Sequence, residues 1–100
     1  MTSSSNHQQQ LSLGQVYNLG FNLFISKGMF SSYDEVSKFA DYRQTMNESP
    51  PSNEACMAVH KMCCRAFEDK VACNLQEASL FVLLASSIEN LKKEEVQKKQ

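Results

Sequence analysis

The sequence predicts an all-α protein, either a compact four-helix bundle or an irregular four-helix domain. A chain of 100 residues has room for one modest hydrophobic core and therefore one domain. Only 3 glycines and 2 prolines are present, which argues against a turn-rich β-sandwich or barrel. Apolar residues recur at helical spacing in four segments, and helix start and stop signals separate these segments.

The first helix follows a polar segment. Residues 1–10 are mostly Ser, Asn, His and Gln, so they are predicted to be a flexible tail, and the domain is placed at residues 11–97. Ser12 followed three residues later by Gln15 predicts a capping box, in which each side chain binds the other residue's backbone N–H. The helix should end before Gly28, since glycine adopts the left-handed cap conformation without a Cβ clash.

This first helix has more apolar residues than the single stripe of an ordinary surface helix. We therefore expect it to bury more than one of its faces. Gly20 lies in the middle of the segment and, having no side chain, is expected to let another helix approach closely.

Ser32 with Glu35 three residues later predicts a second capping box, which starts a second helix that runs to about Met46. Its apolar residues lie on one side, which is typical of an amphipathic helix packed on a core. Pro50 and Pro51 lack backbone donors and mark the clearest break in the chain.

Two further helices follow the break. The third begins after either Ser49 or Ser52, because both satisfy the rules for an N-cap. Asn74 with Glu77 three residues later predicts the start of the fourth. Apolar residues cover almost every side of the fourth helix around residues 80–85, which predicts that its first half is the central helix of the domain.

The charge pattern disfavours some partners. The formal net charge is −1, and no basic stripe of the kind that binds phosphates is present, so we do not expect nucleic acid as a partner. No signal peptide is recognisable, and the longest apolar run, Leu80 to Ala85, is far shorter than the roughly 20 residues that span a bilayer. We therefore expect a cytoplasmic or nuclear protein without a membrane span, whose four cysteines are reduced thiols.

One row of residues suggests metal chemistry. Cys56, His60 and Cys64 occur at intervals of four, and thiolate and imidazole are ligands that zinc prefers. A straight helix would spread the three over more than about 10 Å, so one ion could bind only a pair of them, with Cys73 or His7 added from elsewhere. A zinc site at Cys56, His60, Cys64 and Cys73 is thus the alternative function, and the leading prediction is no cofactor.

A cysteine nucleophile also requires a third group that orients its histidine. From the sequence, Cys64 and His60 supply only two groups, so we expect no enzyme.

The aromatic residues are unevenly distributed. Seven of the nine lie between positions 17 and 42. Aromatic side chains are enriched at the centres of protein interfaces, although a small domain also needs large side chains to fill its core. The sequence therefore predicts a non-enzymatic protein–protein interaction module, such as an adaptor, scaffold or regulatory subunit, that forms a homodimer or docks a partner helix. The residues predicted to bind the partner are Val16, Tyr17, Phe21, Phe24 and Phe39.

Overall fold

The computed structural model describes the backbone of residues 11–99 and the side chains of residues 11–94. The predicted tail at residues 1–10 lies outside the described residues. Within the described part the chain forms four helices and no strand, which confirms the predicted all-α fold. The helices are α1 (Leu13–Ser26), α2 (Tyr33–Thr45), α3 (Asn53–Glu68) and α4 (Leu75–Lys99).

Each helix packs against its neighbours in the sequence, and α4 returns to pack against α1. Within the described residues, α1 lies diagonally opposite α3 and α2 lies diagonally opposite α4, and the side chains of all four helices meet in a shared core. Short connections between consecutive helices favour this arrangement. The core includes the fully buried side chains Tyr17, Phe24, Val59, Cys63, Phe81, Leu84 and Ile88.

The predicted capping boxes of α1 and α4 are both present. The Ser12 hydroxyl accepts from the Gln15 backbone N–H, and the Gln15 side chain accepts from the Ser12 backbone N–H at 2.8 Å. Asn74 and Glu77 make the same reciprocal pair, at 2.8 and 3.0 Å. These bonds satisfy backbone donors that the first turn of a helix leaves without an intrahelical acceptor.

The N-terminal caps of α2 and α3 differ in detail from what the sequence predicted. Ser32 caps α2 as predicted, but the Glu35 carboxylate accepts from the backbone and hydroxyl of Ser31 rather than completing the box. Of the two possible caps for α3, the structure uses Ser52, whose hydroxyl accepts from the Ala55 backbone N–H.

Two predictions about glycines are confirmed. A Cβ added to Gly20 would lie 2.7 Å from the Leu84 side chain, so glycine is what allows α4 to approach α1 so closely. Gly28 follows the end of α1 with φ +65°, the left-handed conformation expected for a residue that terminates a helix.

The first half of α4, predicted to be the central helix, is not buried on every side. It packs on α1 and α3, but its outward side chains Leu75, Val82 and Leu83 are about half exposed or more. An apolar surface around a whole helix signals burial only if neighbours surround it, and in this fold two helices cover only part of the circumference. Among the described helices, none combines the length and the apolar composition of a membrane-spanning segment.

Candidate functional site

The structure places the five residues predicted to bind a partner inside the domain. Val16, Tyr17, Phe21, Phe24 and Phe39 are all buried among the four helices. A partner cannot contact these side chains while the domain stays folded. They are core residues of this chain, and only other residues are exposed enough to contact another molecule.

The buried aromatic rings join α1 to its two neighbours. Phe24 stacks on Phe81 of α4, with ring centres 5.5 Å apart and planes 8° from parallel. On its other side it meets Phe30 and Phe39 edge to face. Offset stacking and edge-to-face contacts are the arrangements that aromatic quadrupoles favour. The aromatic residues of α1 are therefore used within the domain, whereas its aliphatic residues Leu19 and Ile25 stay about half exposed.

Tyr17 links α1 to α2 by a buried hydrogen bond, in which its hydroxyl donates to the Phe39 backbone carbonyl. Burial raises the pKa of Tyr17 well above its ordinary value, so the phenol stays protonated as this donor role requires.

We predict that Tyr17→Phe lowers the free energy of unfolding by about 1–3 kcal/mol, because it leaves the buried Phe39 carbonyl without this donor. Urea unfolding followed by circular dichroism measures the change. Tyr33→Phe is the matched control, since Tyr33 is largely exposed, and it should have little effect. Equal effects of the two substitutions would contradict a role for the buried bond.

One stretch of exposed apolar surface lies along α1 and the first half of α4. A groove of about 400 Å³ runs between the two helices, and a depression of about 450 Å³ lies on the outer side of α4. Residues three and four apart on a helix are neighbours, so Leu80 in the groove adjoins Leu83 in the depression. We call this combined surface the α1–α4 face; its apolar residues are Leu19, Leu23, Leu75, Leu80, Val82 and Leu83.

The α1–α4 face has almost no charge. Neither α1 nor residues 78–88 contain a charged side chain. At its edge, Lys27 and Glu77 form an ion pair with nitrogen and oxygen 2.9 Å apart. Hydrogen bonds from Lys27 and from the Asn74 backbone lower the pKa of Glu77, so the carboxylate stays ionised and the pair stays neutral overall.

A second cluster joins α3 to α4. The Nδ1 atom of His60 lies 3.7 Å from the Cys64 sulfur, and its Nε2 atom lies 3.0 Å from a Glu89 carboxylate oxygen. The sequence predicted only two of these groups. Glu89 is 29 residues from His60, and no local spacing pattern indicates that the packing of α4 on α3 brings them together.

The four residues of the alternative zinc site are not gathered into one site. Cys56 is buried in α3, and Cys73 lies in the connection before α4. Among the described residues, no group of three or more His, Cys, Asp and Glu side chains has an arrangement that could hold a metal ion. Within the set, Cys64 and His60 are in contact, with 3.7 Å between the sulfur and Nδ1.

These features define a class: an all-α four-helix domain with an uncharged apolar face and a separate Cys–His–Glu cluster. The sequence matches no known family model, and comparisons with curated proteins and with solved structures find no match. A function can therefore be proposed only from the geometry of the chain itself.

Proposed function

We propose that this protein is a non-enzymatic interaction module, an adaptor, scaffold or regulatory subunit, that pairs with a second copy of itself through the α1–α4 face. The observation that carries the proposal is the position of the exposed apolar side chains. Leu19, Val82 and Leu83 are each about half exposed on one uncharged surface. Contiguous apolar patches of this kind are typical of protein interfaces.

The charge of the face favours a second copy as the partner. In a symmetric dimer the same patch meets itself, so any net charge on the patch would repel its own copy. The α1–α4 face avoids this repulsion, because its charged pair, Lys27 with Glu77, is internally neutral. A heterologous helix with an apolar stripe is the other possible occupant of the groove. The proposed setting is the cytoplasm or the nucleus.

Sedimentation equilibrium of the reduced protein over a wide concentration range tests the proposal. We expect a monomer–dimer equilibrium, and we predict that Val82→Lys raises its Kd by about tenfold or more, because each dimer receives the buried charge twice. Met57→Lys is the matched control. Met57 is 53% exposed on α3, against 51% for Val82 on α4, so the same substitution there should leave the Kd unchanged.

A protein that stays monomeric at every concentration would overturn self-association. A dimer that Val82→Lys leaves intact would also contradict the proposal, because its interface would then lie elsewhere. Binding of an amphipathic helical peptide to the monomer, lost in Val82→Lys but kept in Met57→Lys, would instead identify the heterologous helix as the occupant.

A further inference from the structure

We propose that Cys64, His60 and Glu89 form a thiol-exchange site that reacts with small disulfides of the glutathione disulfide class. This inference is independent of the proposed dimer, since it rests on the contact between α3 and α4 rather than on the α1–α4 face. Neither the composition nor the spacing of the sequence assigns this site.

The hydrogen bonds determine which nitrogen of His60 faces the thiol as an acceptor. An ionised carboxylate only accepts hydrogen bonds, so the Nε2 atom, 3.0 Å from Glu89, carries the proton. In the neutral ring this leaves the Nδ1 lone pair directed at the Cys64 sulfur, 3.7 Å away. Cys64 as nucleophile, His60 as base and Glu89 as orienting carboxylate thus form a chain of contacts. This is the arrangement that activates a cysteine.

The surroundings of the cluster make it accessible to a solute. Cys64 is partly exposed, and the His60 side chain is 27% exposed. The preceding residue, Cys63, points into the core and is fully buried. Burial raises the pKa of the Cys63 thiol to about 12, so this neighbour stays protonated and unreactive. Of the two adjacent cysteines, only Cys64 can meet a dissolved disulfide.

The exchange step needs no group beyond these three and the disulfide. The thiol proton of Cys64 moves to Nδ1 of His60, and Glu89 stabilises the imidazolium that forms. The thiolate attacks one sulfur of the disulfide, a new bond to the Cys64 sulfur forms, and the original sulfur–sulfur bond breaks. The leaving thiolate takes the proton from His60. Cys64 is oxidised to a mixed disulfide, and the released half of the reagent is reduced to a thiol.

The helix geometry explains why the pair forms on α3. His60 and Cys64 are one turn apart, so their side chains lie on the same side of the helix. That side adjoins α4, which contributes Glu89. Since thiol exchange passes through no oxyanion, the cluster is sufficient without the additional donors that a hydrolase requires.

The test follows the reaction of the reduced full-length protein with oxidised glutathione, with the adducts at each cysteine located by peptide mass spectrometry. We expect Cys64 to react about ten times faster than Cys73, the other partly exposed thiol, and His60→Gln to slow Cys64 by about tenfold without changing the rate at Cys73. Glu89→Gln should also slow Cys64. The matched control Glu54→Gln, which removes an exposed carboxylate of α3, should leave its rate unchanged.

Equal rates at Cys64 and Cys73 would overturn the proposal, as would an unchanged Cys64 rate in His60→Gln. Circular dichroism establishes that each variant keeps its helical content. If His60→Gln fails to fold, the rates at Cys64 in Glu89→Gln and Glu54→Gln are compared instead. Both variants remove one negative charge, and Glu89 lies at the surface, so its substitution does not disturb the core.

Discussion

Phe24→Ala is expected to lower the free energy of unfolding by about 3–5 kcal/mol, which is much of the total of about 5–15 kcal/mol typical of natural domains. Phe24 is fully buried, and its ring contacts three other aromatic rings, those of Phe30, Phe39 and Phe81. Removing the ring loses its transfer free energy and leaves a cavity that rigid neighbours fill only partly.

Urea unfolding monitored by circular dichroism measures this loss. The matched control is Ile25→Ala on the same helix, because Ile25 is 48% exposed and its truncation opens no cavity; we expect a change below about 1 kcal/mol. A loss of equal size in the two variants would mean that Phe24 does not occupy the core. An unchanged stability in Phe24→Ala would restore it as a candidate for a surface that binds a partner.

Leu84→Ala is expected to cost about 2–5 kcal/mol, because Leu84 is fully buried where α4 meets α1. Its side chain lies over Gly20, where a Cβ would approach it to 2.7 Å. Gly20→Ala by itself therefore forces Leu84 to shift in a closely packed core, and this strain opposes the better helix propensity of alanine.

The double variant tests whether these two residues are in contact. With Leu84 truncated, the new methyl group at position 20 has room and fills part of the cavity. We expect the double variant to be more stable than the sum of the single effects predicts, by about 0.5–3 kcal/mol. Both single variants and the double variant are measured by the same urea unfolding. Additive effects would contradict close packing of α1 on α4 at this point.

The aromatic cluster shows how a correct observation about the sequence led to the choice of an interface at residues that are buried in the domain. The concentration of rings in the first half of the chain fits a core as well as an interface, and an interface was predicted from it. The structure buries Phe24 and Phe39 between helices. The exposed side chains Val82 and Leu83, by contrast, lie in a run that the sequence suggested was buried.

The Cys–His–Glu cluster could be predicted from the sequence only in part. His60 and Cys64 are one turn apart, so their proximity follows from helix geometry alone. Glu89 enters the cluster only through the packing of α4 on α3, and in the sequence it is one carboxylate among eleven acidic residues.

The sequence by itself determined the four helices and most of their ends, because caps such as Ser12 with Gln15, or the stop at Gly28, depend on interactions within one turn of chain. It also indicated the close approach at Gly20. Only the tertiary structure decided which apolar residues are covered and which charged groups meet. The exposure of a helix face depends on how many other helices pack against it. That number is set by the tertiary packing, so it cannot be read from a local pattern of residues.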